Sequence, residues 1–210
     1  MNRRMLLISV VLILCCVLAA GCRSHDPAGI KASQGITPTN KLRVKSALGN
    51  PSVDPKTWRL KVEGLVSRPI ALNLDQVRAL PSVTEEVEMH CIEGWSERAV
   101  WKGVPLSDVL RMAGMDEAKA DRVVFVAAEG YDTSIMAKDA MRPGMILAYE
   151  VNGEPLPKDL GFPLRLVAKN KYGYKWIKWI EKIKVIAGEH RGYWEGFGYD
   201  NEGEVLPESK

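Results

Sequence analysis

Residues 86–91 read Glu-Val-Glu-Met-His-Cys and alternate strictly between polar and apolar side chains. This period of two is typical of a half-buried β-strand, and it places Val87, Met89 and Cys91 on the apolar side. His90 lies on the opposite side, because neighbouring side chains of an extended segment point to opposite faces. His90 and Cys91 therefore cannot form a Cys–His catalytic dyad with each other.

Short strands and helices are predicted around this segment. Asn73 and Gln76 form a capping box that predicts a helix through Leu80. An apolar stripe predicts a second helix between Pro105 and Gly114. Further strands are predicted at residues 58–63, 123–126, 146–151, 164–167 and 183–186, with a hairpin turn at Asn152-Gly153. Because the pattern has no regular βαβ period, it predicts an α+β domain of mixed sheets with short helices and argues against a doubly wound nucleotide fold.

The composition fits one globular domain. The chain has 210 residues, of which 46% are hydrophobic and 26% charged, and its formal net charge is +3. These values exclude a collagenous chain, a disordered tail and a disulfide-built miniprotein, and the nearly balanced charge predicts no nucleic-acid partner. The sequence contains no glycine-rich dinucleotide motif, no P-loop and no ligand spacing typical of zinc.

The first 22 residues have the features of an export signal. Two arginines precede an apolar run at residues 5–20, which is shorter than the roughly 20 residues of a membrane-spanning helix. Leu18-Ala-Ala-Gly-Cys22 resembles a bacterial lipoprotein box, which predicts cleavage before Cys22 and lipidation of that residue. An ordinary signal peptide cut near Ala20 is the alternative.

The export signal leads to predictions of domain organisation and location. Residues 1–22 are expected to form the signal peptide with its lipobox, residues 23–40 a flexible tether, and residues 41–210 the functional domain. The mature protein is expected to be periplasmic or on the cell surface, anchored to the membrane by a lipid at Cys22. The Arg3-Arg4 pair also resembles a degenerate twin-arginine signal, so export of the folded chain and of the unfolded chain both stay open.

The four cysteines divide along the chain. Cys15 and Cys16 leave with the predicted signal peptide and Cys22 carries the lipid, so Cys91 is the one other thiol of the mature protein. In an oxidising compartment a lone thiol is a buried structural group, an intermolecular partner or a reactive group. The cysteine pattern alone leaves these three roles open.

A basic segment follows later in the chain. Lys169, Lys171, Lys175 and Lys178 lie beside tyrosine and tryptophan side chains, with Gly173 among them. The segment is either a solvated turn covered by aromatic rings or a phosphate cradle in which Gly173 allows close approach of the backbone. Spacing alone does not choose between the two.

Six blocks of sequence occur in order between residues 40 and 198. They are Pro51–Gly64, His90-Cys-Ile-Glu-Gly-Trp95, Trp101-Lys-Gly-Val-Pro-Leu106, Glu129-Gly-Tyr-Asp-Thr-Ser134, Leu147–Pro157 and Gly161–Trp179. Together these blocks resemble the molybdopterin-binding domain of the sulfite oxidase family, which also includes assimilatory nitrate reductases and a periplasmic methionine-sulfoxide reductase. The resemblance implies a sulfite oxidase-type fold that binds a molybdenum–molybdopterin cofactor with a single pterin.

The resemblance also implies roles for individual residues. Cys91 matches the cysteine whose thiolate binds molybdenum, and Tyr131 matches the active-site tyrosine whose hydroxyl hydrogen-bonds an oxygen on the metal or the substrate. The residues expected to hold the anionic pterin are Asn40, Arg43, Arg165, Lys175, Trp176, Ile177 and Lys178. A thiolate bound to a metal is shielded from disulfide exchange, which gives a lone thiol a reason to persist outside the cytoplasm.

The chain departs from the family's pattern at several positions. Leu160 stands where a polar His or Asn usually precedes Gly161, which removes a polar contact to the cofactor, and Lys169 replaces a proline. No arginine follows Cys91 until Arg98, although animal sulfite oxidases have one nearby in an anion pocket. These differences weaken the expectation that sulfite is the substrate.

The expected function is that of an extracytoplasmic molybdopterin-dependent oxidoreductase that transfers an oxygen atom to or from a small substrate in a two-electron reaction. Because the chain has no cytochrome b5-like domain and no carboxy-terminal dimerisation domain, electrons are expected to pass to a separate haem- or quinol-linked partner. Two alternatives stay open. One is a non-catalytic binding or assembly lipoprotein that keeps the fold without the cofactor, and the other is a thiol-based redox protein that uses Cys91.

Overall fold

The structure, a computed structural model, describes residues 35–205 of the chain. The predicted signal peptide with Cys22, the tether up to residue 34 and residues 206–210 lie outside the described residues. The end of the predicted tether contacts the domain. The backbone N–H of Thr37 donates to the carbonyl of Arg98 at 2.8 Å, and the side-chain amide of Asn152 donates to the carbonyl of Thr37 at 3.0 Å.

Ten strands and four short helices form the described part of the chain. The strands are β1 (Leu60–Gly64), β2 (Ile70–Leu72), β3 (Val83–His90), β4 (Ser96–Pro105), β5 (Arg122–Ala127), β6 (Asp132–Met136), β7 (Met145–Val151), β8 (Glu154–Pro155), β9 (Arg165–Ala168) and β10 (Ile180–Ile186). The helices are α1 (Leu74–Arg78), α2 (Leu106–Ala113), α3 (Ala137–Ala140) and α4 (Tyr193–Gly196). Single turns of 3₁₀-helix occur at Thr39–Lys41, Lys158–Leu160 and Gly173–Lys175. The α+β prediction is confirmed.

The strands form two sheets. The first has the order β2-β1-β10-β5-β6, in which β1 and β10 are parallel and the other neighbours are antiparallel. The second has the order β3-β4-β7-β8, with β9 also paired to β7, and all of its pairs are antiparallel. Because β10 inserts between β1 and β5, the first sheet joins distant parts of the chain.

Local sequence signals explain the helix boundaries. The capping box at α1 is present, with the backbone N–H of Gln76 donating to the Asn73 side chain at 2.8 Å and the reciprocal bond at 2.9 Å. This helix ends at Arg78 rather than at the predicted Leu80, because a residue that precedes a proline disfavours helical geometry. Within residues 35–205, no helix has the length and apolar character needed to cross a membrane.

The β3–β4 hairpin places Cys91 at its tip. Val83–His90 pairs with Ser96–Pro105 along its full length, and the predicted alternation buries Val87 against the core. Cys91 follows directly after β3, where its backbone N–H donates to the Trp95 carbonyl at 2.8 Å and closes a tight turn. The turn leaves the Cys91 side chain only partly buried, so the thiol lies at the edge of the core.

The pairing of β4 with β7 depends on a glycine at a point where the two backbones approach closely. A Cβ atom on Gly103 of β4 would lie 2.1 Å from the carbonyl oxygen of Leu147 on β7. Because the obstructing atom belongs to the backbone, neither strand can yield without disturbing the ladder.

We predict that Gly103→Ala lowers the free energy of unfolding by about 2–4 kcal/mol, measured by urea denaturation. Gly196→Ala is the matched control, since no atom lies within 4 Å of the added Cβ, and it is expected to change the stability by less than about 0.5 kcal/mol. Equal denaturation midpoints for the two variants would contradict the close-approach argument.

Candidate active site

A cavity of about 240 Å³ opens beside the tip of the β3–β4 hairpin. Its walls come from both sheets. The second sheet contributes Cys91 at the hairpin tip and Arg165 on β9, and the first contributes Tyr131 from the β5–β6 loop. Residues 173–178, between β9 and β10, complete the wall.

Most of the site residues predicted from the sequence line this cavity. They are Arg43, Cys91, Tyr131, Arg165, Trp176, Ile177 and Lys178. The fold therefore brings together side chains that lie up to 135 positions apart in the sequence (178 − 43). Asn40 and Lys175 are not among the lining residues.

Tyr131 presents a hydroxyl with a fixed orientation. Its O–H donates to the backbone carbonyl of Tyr174 at 2.6 Å, and the side chain is largely buried. Burial, together with the neighbouring carboxylates of Glu195 and Asp132, raises the pKa of the Tyr131 phenol well above its usual range. The phenol therefore keeps its proton and can serve as a hydrogen-bond donor at the cavity wall.

Arg165 is a buried cation without a carboxylate partner. Its guanidinium donates to the carbonyls of Leu160 at 3.1 Å and Trp176 at 3.4 Å, and it lies over the Trp101 ring at 4.7 Å from the centroid. The Nε atom is buried and has no hydrogen-bond partner among the described residues. Burial lowers the pKa of Arg165 to about 10, so the side chain still carries its charge at neutral pH.

Lys178 adds a second cation to the same wall. Its ammonium lies 4.1 Å from the centroid of the Trp179 ring and donates to the Asp159 carbonyl at 3.3 Å. Burial, and then repulsion from Arg165, lowers the pKa of Lys178 to about 8. In residues 35–205, no carboxylate lies within ion-pair distance of either cation. This part of the cavity can therefore bind an anion.

The backbone of Trp176 and Ile177 holds these cations in place. Trp176 is buried, with its indole N–H donating to the Lys171 carbonyl at 2.9 Å, and its own carbonyl accepts from Arg165. The Ile177 carbonyl accepts from the N–H of Leu166 on β9 at 2.8 Å. The cations are thus attached to a rigid part of the fold.

Arg43 also lines the cavity, and its charge is already balanced. Its backbone N–H donates to both carboxylate oxygens of Glu97 at 2.9 and 3.0 Å, and its Nε lies 3.7 Å from the same carboxylate. The guanidinium also lies over the Trp95 ring at 4.5 Å. Arg43 can contribute hydrogen-bond donors to a ligand but little net charge.

Two predicted contacts need correction. Lys175 is fully buried, and its ammonium donates to Glu195 and to the carbonyls of Ser134 at 2.9 Å and Asn201 at 2.8 Å. Since all three protons of the ammonium are used inside the core, Lys175 is a structural residue and does not reach the cavity. Asn40 is exposed in the Thr39–Lys41 turn, also away from the cavity wall.

The four lysines of the basic segment have different surroundings. Lys171 is buried between Asp139 at 2.8 Å and Glu204 at 2.7 Å, so it is not available to a phosphate. Lys169 is exposed, outside the cavity. Of the four lysines, Lys178 alone lines the cavity.

Leu160, the apolar departure from the family pattern, lies in the cavity wall. Its side chain is buried, and its carbonyl accepts a hydrogen bond from Arg165. Gly161 follows with φ of 111°, and a Cβ there would meet the side chains of Lys178 and Arg165 at 3.0 and 3.1 Å. The leucine therefore removes a polar side chain but leaves both cations in place.

Sequence reasoning missed several residues of the cavity wall. Glu129, Trp101, Trp194 and Tyr199 all line it. Glu129 lies two residues before Tyr131 in the Glu-Gly-Tyr sequence, and this proximity could have identified it as a residue of the cavity wall. The positions of the aromatic residues depend on packing between distant elements, for which the sequence offers no local signal.

Comparison with known proteins identifies the family. The family described as "Oxidoreductase molybdopterin binding domain" matches residues 47–194. The protein-methionine-sulfoxide reductase catalytic subunit MsrP of Gluconobacter oxydans is 34% identical over 167 residues, which cover 71% of this chain and 53% of that protein. The chain belongs to the sulfite oxidase family of molybdopterin-binding oxidoreductases.

Two further comparisons agree with this assignment. Mitochondrial sulfite oxidase of Drosophila melanogaster is 32% identical over 203 residues, covering 84% of this chain and 35% of that protein. The crystal structure of the sulfane dehydrogenase SoxCD from Paracoccus pantotrophus matches with a TM-score of 0.69 at 25% identity, covering 76% of this chain and 46% of that chain. The predicted sulfite oxidase-type fold is confirmed. The chain spans about half or less of the length of these three relatives.

The residues of the cavity fit the molybdenum–molybdopterin cofactor that the family implies. Cys91 supplies a free thiol at one side, and a soft thiolate is a suitable ligand for this metal. The unpartnered Nε of Arg165 and the unbalanced charge of Lys178 offer a site for the phosphate of a pterin. An anion there would relieve the repulsion between the two cations.

We predict that binding of sulfate to the cofactor-free sulfite oxidase-family domain weakens as the pH rises from about 7 to about 9. Lys178 loses its proton over this range because its pKa is about 8, whereas the charge of sulfate stays constant. Calorimetric titration is expected to show that Lys178→Gln weakens binding roughly tenfold at neutral pH, and that Lys178→Arg removes the pH dependence.

Lys182→Gln is the control for this measurement. Lys182 lies outside the cavity and forms an exposed ion pair with Glu63 at 3.4 Å. A pH dependence that persists in Lys178→Arg would show that another group controls anion binding.

Proposed function

We propose that this protein is an exported molybdenum enzyme that transfers an oxygen atom to or from a small substrate in a two-electron reaction. The observation that carries the proposal is the convergence, in one cavity, of a free thiol at Cys91, a hydroxyl at Tyr131 and two uncompensated cations at Arg165 and Lys178. A thiol-based redox protein would have no use for the buried cations.

Each residue has a role in this proposal. The Cys91 thiolate binds the metal, Arg165 and Lys178 bind the phosphate of a single pterin, and Arg43 with the Trp176–Ile177 backbone confines the cofactor from the sides. When bound, the cofactor supplies the two-electron redox chemistry. The protein residues bind it, orient the substrate and limit the access of water.

Tyr131 orients the substrate in this reaction. Its hydroxyl proton, held at Oη by the raised pKa, is directed to the Tyr174 carbonyl in the described structure. Rotation about the C–O bond redirects that proton to a substrate oxygen without moving the ring. A neutral donor suits a sulfoxide or another uncharged oxygen, because it binds the oxygen without requiring a net charge on the substrate.

We also propose that electrons are exchanged with a separate haem- or quinol-linked partner. The cavity rim supports this proposal, since Ile92 beside Cys91 is 51% exposed and Phe197 is 71% exposed. Phe197 packs against Trp194, a residue of the cavity wall, at 6.0 Å between ring centroids. A partner docked on this apolar rim would lie close to the metal site.

Export and membrane attachment complete the proposal. The apolar segment at residues 5–20 and the lipobox at Cys22 support cleavage, lipidation at Cys22 and a periplasmic or cell-surface location. The Arg3-Arg4 pair supports export after folding, which is compatible with insertion of the cofactor before the chain crosses the membrane.

We predict that protein purified from a cofactor-competent strain, with its export signal intact, contains stoichiometric molybdenum and pterin by elemental analysis and fluorescence of the oxidised pterin. Cys91→Ser is expected to lose most of its molybdenum, because a serine hydroxyl does not replace a soft thiolate.

Cys22→Ser is the matched cysteine control, which is expected to release the protein from the membrane without changing its molybdenum content. A wild-type protein that folds but contains no molybdenum would contradict the proposal and favour a binding or assembly lipoprotein.

A further inference from the structure

The proposed oxygen transfer requires proton movements as well as electrons, and the following inference rests on that proposed function. When water supplies the oxygen, the balance is substrate + H₂O → substrate–O + 2H⁺ + 2e⁻, and the reverse reaction consumes the same protons and electrons. The electrons pass to or from the redox partner. The protons have to move between the reacting groups and solvent, and a titratable group in the cavity wall can relay them.

Three carboxylates line the cavity, and two of them are engaged. Glu93 binds the Lys45 ammonium at 3.0 Å and the indole N–H of Trp95 at 3.0 Å. Glu97 accepts the backbone N–H of Arg43 with both oxygens and faces the guanidinium of the same residue. Hydrogen bonds from the Trp95 indole and the Lys45 ammonium lower the pKa of Glu93, and both oxygens of Glu97 are occupied by Arg43.

Glu129 is the third, and it is free to change its protonation state. Its Oε2 atom is buried and has no hydrogen-bond partner among residues 35–205. The side chain is only partly buried, and the next residue, Gly130, is exposed. The carboxyl group therefore has a buried oxygen and lies next to a residue that is exposed to solvent.

The loop that carries Glu129 is rigid. Gly130 has φ of 89°, which closes the turn between β5 and β6, and the N–H of Ala127 donates to the Tyr131 carbonyl at 2.9 Å. The N–H of Ala128 also donates to the carbonyl of Trp179 at 2.9 Å. These bonds present Glu129 and Tyr131, two residues apart, to the same cavity.

The surroundings of Glu129 raise its pKa above the usual range of a glutamate. Burial is the main influence and raises the pKa of Glu129, and the neighbouring carboxylate of Glu181 raises it further. A hydrogen bond from its own backbone N–H, and then the Lys178 ammonium, lower this pKa in part. Tyr131, the remaining titratable neighbour, stays neutral.

We infer that Glu129 is the proton carrier of the site. When the substrate gains an oxygen atom, the Glu129 carboxylate accepts a proton released from water and passes it to solvent past Gly130. When the substrate loses an oxygen atom, the carboxylic acid donates a proton from the same position and is then reprotonated from solvent. Each turnover requires two such transfers, and the electrons travel separately to or from the partner.

The experiment uses molybdenum-loaded wild-type protein and the variants Glu129→Gln, Glu129→Asp and Glu117→Gln. The assay follows the reduction of methionine sulfoxide by reduced benzyl viologen, which supplies the electrons. Glu129→Gln is expected to lower kcat by about 10²- to 10⁴-fold, with a smaller change in KM. The decline of the wild-type rate at high pH, where the acid loses its proton, is expected to disappear in this variant.

Two variants separate proton transfer from a structural effect. Glu129→Asp keeps a carboxyl group and is expected to restore part of the rate together with the decline at high pH. Glu117→Gln, at an exposed residue outside the cavity, is expected to keep the wild-type rate. The molybdenum content of each variant is measured first, so that loss of the cofactor is not mistaken for loss of proton transfer.

Infrared spectroscopy supplies a readout that does not depend on turnover. The wild-type protein is expected to show a protonated-carboxyl band that persists to higher pH than that of an exposed glutamate and is absent from Glu129→Gln. The inference is overturned if the band is unchanged in Glu129→Gln, or if the loaded variant keeps the wild-type kcat and pH profile. A loaded wild-type protein that does not reduce methionine sulfoxide contradicts the proposed reaction on this substrate, while the band still decides whether Glu129 holds the proton.

Discussion

The contact of the Arg165 guanidinium with two indole rings is the constraint on which the site depends. Arg165 lies on β9, its guanidinium stands 4.7 Å from the Trp101 ring on β4 and 6.0 Å from the Trp176 ring, and the two rings meet edge to face. A buried cation without a carboxylate costs free energy. Ring faces and backbone carbonyls compensate for part of that cost, and an anionic ligand would supply the remainder.

The distribution of ion pairs separates structural charges from those of the site. Inside the fold, cations are matched by carboxylates, as in Lys175 with Glu195 and Lys171 with Asp139. Arg165 and Lys178 in the cavity wall have no carboxylate within ion-pair distance among the described residues, and Arg165 lowers the pKa of Lys178. The difference explains how one basic segment contributes both to the stability of the core and to the binding of an anion.

Local features of the fold could be predicted from the sequence because each depends on residues close in the chain. The capping box at Asn73 and the hairpin turn at Asn152-Gly153, where both residues have positive φ, are of this kind. The role of Lys175 could not be predicted in this way. Its partner Glu195 lies 20 positions further along the chain, and spacing does not show whether an ammonium points into the core or into a cavity. The same limit concealed Glu129, whose importance depends on the engagement of the other cavity carboxylates.

The proposed function depends on Cys91 as a ligand of molybdenum. X-ray absorption spectroscopy at the molybdenum edge of the purified wild-type protein tests this most directly, because it counts the sulfur atoms bound to the metal. We expect one thiolate sulfur bound to the metal in addition to the sulfur pair of the pterin dithiolene. A spectrum that requires the dithiolene pair alone would contradict it, and Cys91 would then be a thiol near the cofactor rather than its attachment to the protein.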